Sequence, residues 1–284
     1  MSIVYEFENL WWPFGAHLLH IKWAYIKTKQ LGYKFHYSKN NALCFPEGNV
    51  SFYYDTSSWN DELEVGDTMH KKESGGAISS KFDLEEYVAP GYADIADMHS
   101  SVFRKLIKPN EMVMKHVDSH PFVNKIKSLP KYMVVHVRWS DKITGHSKET
   151  NFIPLSEYLT KCNDLRLKTS INDVVLITDN IDTYDMFMRE NSSDLYNFNV
   201  HYDTSEVRSP NSCLESLVQR ANFGRCEQIE LVKDYMQGFV NFHIMINSTA
   251  LIGNFDSCYC LVPVQYRNNS NDVNVNTNKP IFGF

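Results

Sequence analysis

Tyr132-Met133-Val134-Val135-His136-Val137-Arg138-Trp139-Ser140-Asp141-Lys142 decides how this chain is read. Residues 132–137 are a near-continuous apolar run, and the polarity changes abruptly at Arg138. A short apolar run that ends in charge predicts a strand buried on both faces. Three further runs follow: 173–179 (DVVLITD), 198–202 (FNVHY) and 250–253 (ALIG). Helical patterns occupy 154–167, with Pro154 near the start, then 181–190 and 226–246, and another helix begins within 256–265. Strands alternating with helices, each strand apolar throughout, predict a parallel sheet covered on both faces.

Outward from this core the pattern is less regular. Residues 3–8 (IVYEFE) alternate like a short strand, and a loop with Pro13 and Gly15 follows. Residues 16–31 read as an amphipathic helix closed by Gly32. YKFHY (33–37) and VSFYY (50–54) look like strands, 55–90 is polar and loop-rich, and helical patterns return between 95 and 130. Residues 267–284 are Asn-rich and read as a loop or packed tail. There is no internal repeat.

The chain has 284 residues, a length that suggests about two domains. Hydrophobic residues at 43% and charged residues at 22% exclude a disordered or fibrous chain. A net charge of −6 argues against non-specific nucleic-acid binding, which needs a basic surface, while leaving room for a local basic pocket. The N-terminus carries Glu6 and Glu8 where a signal peptide would be basic, and no apolar stretch is long enough to span a membrane. The six cysteines form no paired framework. A cytoplasmic protein with reduced thiols is the expectation.

In an open parallel sheet, ligands bind beyond the carboxyl ends of the strands. After the first strand of the second half, His136 and Arg138 are two apart and point to the same side. Arg138 suits a diphosphate because its planar fork gives two parallel charge-assisted bonds; the alternative is a surface pair with an Asp of its own loop. After the second strand, Asp179 is either an acceptor for ribose or sugar hydroxyls or the N-cap of the next helix. After the fourth, Asn254-Phe255-Asp256-Ser257 opens a helix, where amides and a hydroxyl form a natural phosphate site. Asp256 would repel phosphate there and reads equally well as a plain N-cap. His17 and His20 share a helical face beside Gly15, yet no ligand spacing supports a metal. His243 reads as a core histidine. No P-loop, G-x-G-x-x-G, H-E-x-x-H or G-x-S-x-G motif is present.

HVRWSDK (136–142) resembles the H-V-R-R-x-D-K signature of the α1,6-fucosyltransferases, the core-fucosylating and nodulation-factor enzymes. Glu149 and NFIPLSEYL (151–159) resemble the family's E-x-x-F-x-P-x-x-E-Y stretch. VVLITDN (174–180) resembles its strand ending in A-T-D-D. NFHIMINSTALIGNFDS (241–257) runs without a gap against its D-I-H-F-L-S-x-A-D-x-L-V-x-T-F-S-S block, and GAHLLHIKWAYIKTKQLG (15–32) is similar to its opening Gly-rich turn and Leu-His-His helix.

The resemblance implies an α/β, GT-B-like fold of two Rossmann-type domains whose parallel sheets face across a cleft. On this reading 1–125 is the acceptor-side domain, 126–266 binds the nucleotide-sugar, and 267–284 is a C-terminal tail. It implies inverting transfer with no metal and no cofactor, from a nucleotide-sugar donor to an oligosaccharide acceptor. Arg138 would neutralise the leaving diphosphate and His136 would line the nucleotide pocket. Ser257 and neighbouring amides would hold phosphate, with Gly15 and His17 on the donor side as well. Lys142 and Glu149 match the family's acceptor-activating pair, Glu149 as general base, with Asp141 as the rival carboxylate.

Several positions depart from the family. Its second Arg is Trp139 here, three extra residues separate Lys142 from Glu149, and Asp256 replaces the first Ser of F-S-S. Its guanine-reading aspartate is Asn241, and an amide accepts only one of the two bonds a carboxylate takes from guanine. GDP-fucose is therefore the leading donor, with a UDP-sugar such as UDP-xylose, transferred to a β-linkage, as the alternative. A non-catalytic glycan- or nucleotide-binding protein is the other reading.

Overall fold

The computed structural model describes residues 3–8, 14–15, 18–19, 21–22, 25–26, 34–37, 52–57, 59, 69–74, 100–139, 152–193, 195–206, 227–255, 257–267 and 273–277. The second half forms one sheet of five parallel strands. They are β4 (Met133–Val137), β5 (Asp173–Thr178), β6 (Asn199–Tyr202), β7 (Ala250–Gly253) and β8 (Val273–Asn276), in the order β6-β5-β4-β7-β8. β4 lies at the centre, and every residue of it is buried. That is why its sequence reads as unbroken apolar residues rather than as an alternation.

The two faces of the sheet bury different residues. Met133, Val135, Val137, Val174, Leu176 and Ile252 pack against α3 (Leu155–Thr169) and α4 (Thr183–Asn191). Val134, Val175, Ile177 and Leu251 pack toward α5 (Gln228–Ile246) and α6 (Cys258–Arg267). The chain winds outward from β4 first in one direction, then returns to β7 and winds in the other. The strand order therefore reverses between β4 and β7, and connections diverging from adjacent strand ends open a crevice at that point.

The first half contributes a second parallel sheet, β1 (Ile3–Glu8) between β2 (Lys34–Tyr37) and β3 (Met69–Ser74). Residues 14–15, 18–19, 21–22 and 25–26 are helical and buried. Two short helices, α1 (Glu111–Ser119) and α2 (Pro121–Lys127), lead into β4. Asn110 caps α1 by accepting from the Val113 amide at 3.0 Å. Glu230 fixes the first turn of α5 by accepting from the Glu227 amide at 2.9 Å.

The early helical residues pack into the second half. Phe14 meets the rings of Tyr235 and Phe239 edge-on, each at 5.0 Å. A Cβ at Gly238 would lie 2.8 Å from the Phe14 ring, so only glycine allows this approach. Lys22 is fully buried in the same region. Its Nζ donates to Gln265 Oε1 on α6 at 2.6 Å and stands 4.8 Å from the Phe103 ring centroid.

Three stretches differ from their sequence expectation. Residues 52–54 form a turn rather than a strand, with a lone bridge from Tyr54 to Pro109. Their aromatics serve burial instead: Tyr53 stacks on Tyr235 at 4.5 Å, and the Tyr54 and Tyr235 hydroxyls are 2.8 Å apart. Packing outweighs strand propensity there. β3 lies inside the stretch read as loop, because MHKKES pairs through its backbone and carries no apolar alternation. Residues 273–276 form the edge strand β8 rather than a loop.

Candidate functional site

The carboxyl edge of the five-stranded sheet gathers the polar residues. The register pairs Val137 with Thr178, so one step further Arg138 stands opposite Asp179, both on the side of α5 and α6. The Arg138 guanidinium forms an ion pair with Asp179 Oδ2. Asp179 Oδ1 accepts from the Trp139 amide at 3.0 Å. Both side chains are largely enclosed, at 18% and 15% exposure, so the pair is not one of the mobile surface pairs of little consequence. Asp179 thus aims Arg138 from the neighbouring strand, not from Arg138's own loop. Nor does Asp179 cap α4: the cap position is Asp182, which makes no side-chain cap bond, and Asn180 Oδ1 shapes the turn before it by accepting from the Asp182 amide and the Thr183 hydroxyl.

Below Arg138 on the same side is His136, fully buried, with no partner for Nδ1 among the described residues. Burial, and then the Arg138 charge, pull its pKa down to about 4, so the ring is neutral near pH 7. It stacks on Tyr259 with ring centroids 5.4 Å apart. Gly253 sits beside His136 in register. A Cβ there would lie 2.5 Å from Cys260 Sγ, so this glycine is what lets α6 lie close to the sheet. Ser257 is buried at the start of α6, and its carbonyl accepts from the Cys260 and Leu261 amides at 3.0 and 2.9 Å.

α5 supplies a polar stripe facing the same edge. Asn241 is buried, and its Nδ2 donates to Glu206 Oε1 at 2.9 Å. Gln237 Nε2 donates to Asp203 Oδ2 at 3.1 Å and to Asn241 Oδ1 at 3.4 Å. Tyr259 hydrogen-bonds Asn241, and burial together with the Glu206 charge pushes its phenol well above the ordinary range. Asp203 also holds the Ser205 amide and hydroxyl, and lies 3.8 Å from His120.

The structure therefore brings together Arg138, His136, Asp179, Asn241 and Ser257. Gly15 is buried next to Phe14 in the helical segment packed on α5. Asp141, Lys142, Glu149, Asp256, His17 and His20 lie outside the described residues. Trp59 is core, its indole donating to the Leu106 carbonyl at 2.8 Å. Trp139 points to the opposite side from Arg138, is buried, and donates to the Ile153 carbonyl at 3.1 Å. His243 is half-buried on α5. Among the described residues no three His, Cys, Asp or Glu side chains gather as metal ligands, and no helix is long and apolar enough to cross a membrane.

Sequence reasoning missed Asp203 and Glu206. They follow the third strand and obey the same strand-end rule that picks out Arg138 and Asp179. It also missed Gln237 and Asp234, which lie four and seven residues before Asn241 and so share its helical face.

No family model matches the sequence, and no curated protein matches it. Solved structures match the fold. NodZ α-1,6-fucosyltransferase co-crystallised with GDP is similar with a TM-score of 0.51 and 8% identity, over 93% of this chain and 92% of that one. NodZ α-1,6-fucosyltransferase soaked with GDP-fucose gives 0.52 and 8%, over 94% and 93%. Fucosyltransferase NodZ from Bradyrhizobium gives 0.50 and 9%, over 93% and 92%. Identities this low establish a likeness of fold, the mixed α/β architecture of these glycosyltransferases.

Proposed function

We propose that this protein is an inverting, metal-independent glycosyltransferase that moves a sugar from a nucleotide-sugar, with GDP-fucose as the leading donor, to a hydroxyl of a glycan acceptor. The observation that carries the reading is Arg138, held by Asp179 at the point where the strand order reverses. A fixed guanidinium there is placed to neutralise charge as it develops on a departing diphosphate. The fold neighbours were co-crystallised with GDP or soaked with GDP-fucose, which supports a nucleotide-sugar in the equivalent place here.

In this mechanism the acceptor oxygen attacks the anomeric carbon from the face opposite the diphosphate. The carbon–oxygen bond to the diphosphate breaks, and the leaving group takes the electron pair toward Arg138 and the first turn of α6. The acceptor proton passes to a carboxylate, Glu149 with Lys142 beside it, or Asp141 as the rival. Residues 1–125 supply the acceptor side.

Guanine is favoured over uracil by the Asn241–Glu206 contact. The amide N–H groups of Asn241 and Gln237 are turned toward Glu206 and Asp203, so acceptor oxygens dominate this part of the site. Guanine offers a ring N–H and an amino group side by side, both donors. Uracil offers one N–H between two carbonyl oxygens, which such a surface would repel. Glu206 thus restores the carboxylate that Asn241 lacks.

The test is thermal stabilisation by GDP, UDP, GDP-fucose and UDP-xylose, for the wild type and for Arg138→Ala. A ligand at 100 times its dissociation constant adds roughly 2.7 kcal/mol, enough for a clear shift. The proposal expects a GDP-selective shift that Arg138→Ala abolishes, and turnover that persists in excess chelator. A nucleotide shift unchanged in Arg138→Ala would overturn the assignment.

A further inference from the structure

Among the described residues, four carboxylates border the crevice side of the sheet edge. Three are engaged by protein donors: Asp179 by Arg138 and Trp139, Asp203 by Ser205 and Gln237, Glu206 by Asn241. The fourth, Asp234, accepts no hydrogen bond from any described residue. It is nonetheless within electrostatic reach of both Arg138 and Tyr259. Its side chain reaches water while protein surrounds it closely enough for lost hydration to raise its pKa, against the pull of Arg138. A carboxylate so placed gains by meeting hydroxyl donors that a ligand brings.

Position selects which donors. Asp234 precedes Asn241 by seven residues, two helical turns, so both lie on one face of α5 and roughly 10 Å apart along its axis. That separation is comparable to the span from a ribose to the far edge of its base. Asn241 and Glu206 stand at the base end and Arg138 at the diphosphate end. The ribose joins these two parts of a nucleotide.

We infer that Asp234 accepts the 2′,3′-hydroxyls of the donor ribose, so that the nucleoside lies along the polar stripe of α5. The inference rests on the nucleotide-sugar reading above. A carboxylate taking two hydroxyls makes charge-assisted bonds, which an uncharged or truncated side chain cannot replace fully.

The experiment is calorimetric titration of the wild type, Asp234→Ala and Asp234→Asn with GDP and with 2′,3′-dideoxy-GDP. Neither nucleotide carries a transferred sugar, so only ribose hydroxyls differ. The wild type is expected to bind GDP roughly 10–100-fold more tightly than the dideoxy form, the range for hydrogen bonds to a charged group. Asp234→Ala should bring GDP down to the dideoxy level and leave the dideoxy affinity unchanged, with Asp234→Asn in between. Asp234 is exposed, so unfolding of the variants is not expected, and a thermal melt confirms it. Equal wild-type affinity for both nucleotides, or full discrimination kept in Asp234→Ala, overturns the inference while the nucleotide reading stands. Absence of any nucleotide binding by the wild type overturns both.

Discussion

Lys22→Met should make this protein more stable at neutral pH, with a gain that disappears in alkali. Lys22 is fully buried, and burial pulls its pKa from 10.5 down to about 7. The unfolded chain keeps the proton up to about pH 10.5, whereas the folded chain releases it near pH 7. Between those values the unfolded state binds more protons, so wild-type stability rises with pH across that window. Relative to an uncharged side chain, Lys22 costs about 4 kcal/mol at pH 7 and about 2 kcal/mol at pH 9. Met has a similar flexible stem and fits the same space. It forfeits the hydrogen bond to Gln265 and leaves that part-buried acceptor without its donor, a cost of about 2 kcal/mol at either pH. The expected net gain is about 2 kcal/mol at pH 7 and near zero at pH 9. Urea denaturation at the two pH values, with the slope unchanged between variants, measures it directly. A Met variant less stable than wild type at pH 7, or a gain equal at both pH values, would refute the reasoning.

Glu206→Gln removes the carboxylate beside Asn241, and should reduce the preference for GDP over UDP at least tenfold in a binding titration while the fold stays intact. Gly238→Ala forces a methyl group to within 2.8 Å of the Phe14 ring, and a loss of about 1–3 kcal/mol in unfolding free energy is expected from urea denaturation. Because the folded-state pKa of His136 lies below its unfolded value, stability is fully present above about pH 6.5 and falls toward pH 4. The drop approaches about 3 kcal/mol, and His136→Phe should flatten that part of the pH–stability curve.

The sequence by itself determined the parallel sheet. β4, β5 and β7 are buried on both faces, so solvation alone demands unbroken apolar runs, and those runs need no tertiary information to be found. It also singled out Arg138, His136 and Ser257 as candidates, because ligands gather at the carboxyl ends of such strands. Where the chain does not advertise burial by composition, the reading failed: β3 pairs through its backbone with polar side chains, and Tyr53 and Tyr54 spend their apolar surface on α5 instead of on a strand. Only the tertiary structure decided who partners whom. Asp179 reaches Arg138 from the neighbouring strand, and Glu206 reaches Asn241 from a different element, 35 residues away. Lys22, one polar residue on an amphipathic helix, becomes a buried charge only because α6 covers it. Strand patterns are local and written in hydrophobicity. Charge partners are set by register and helix docking, which no local pattern encodes.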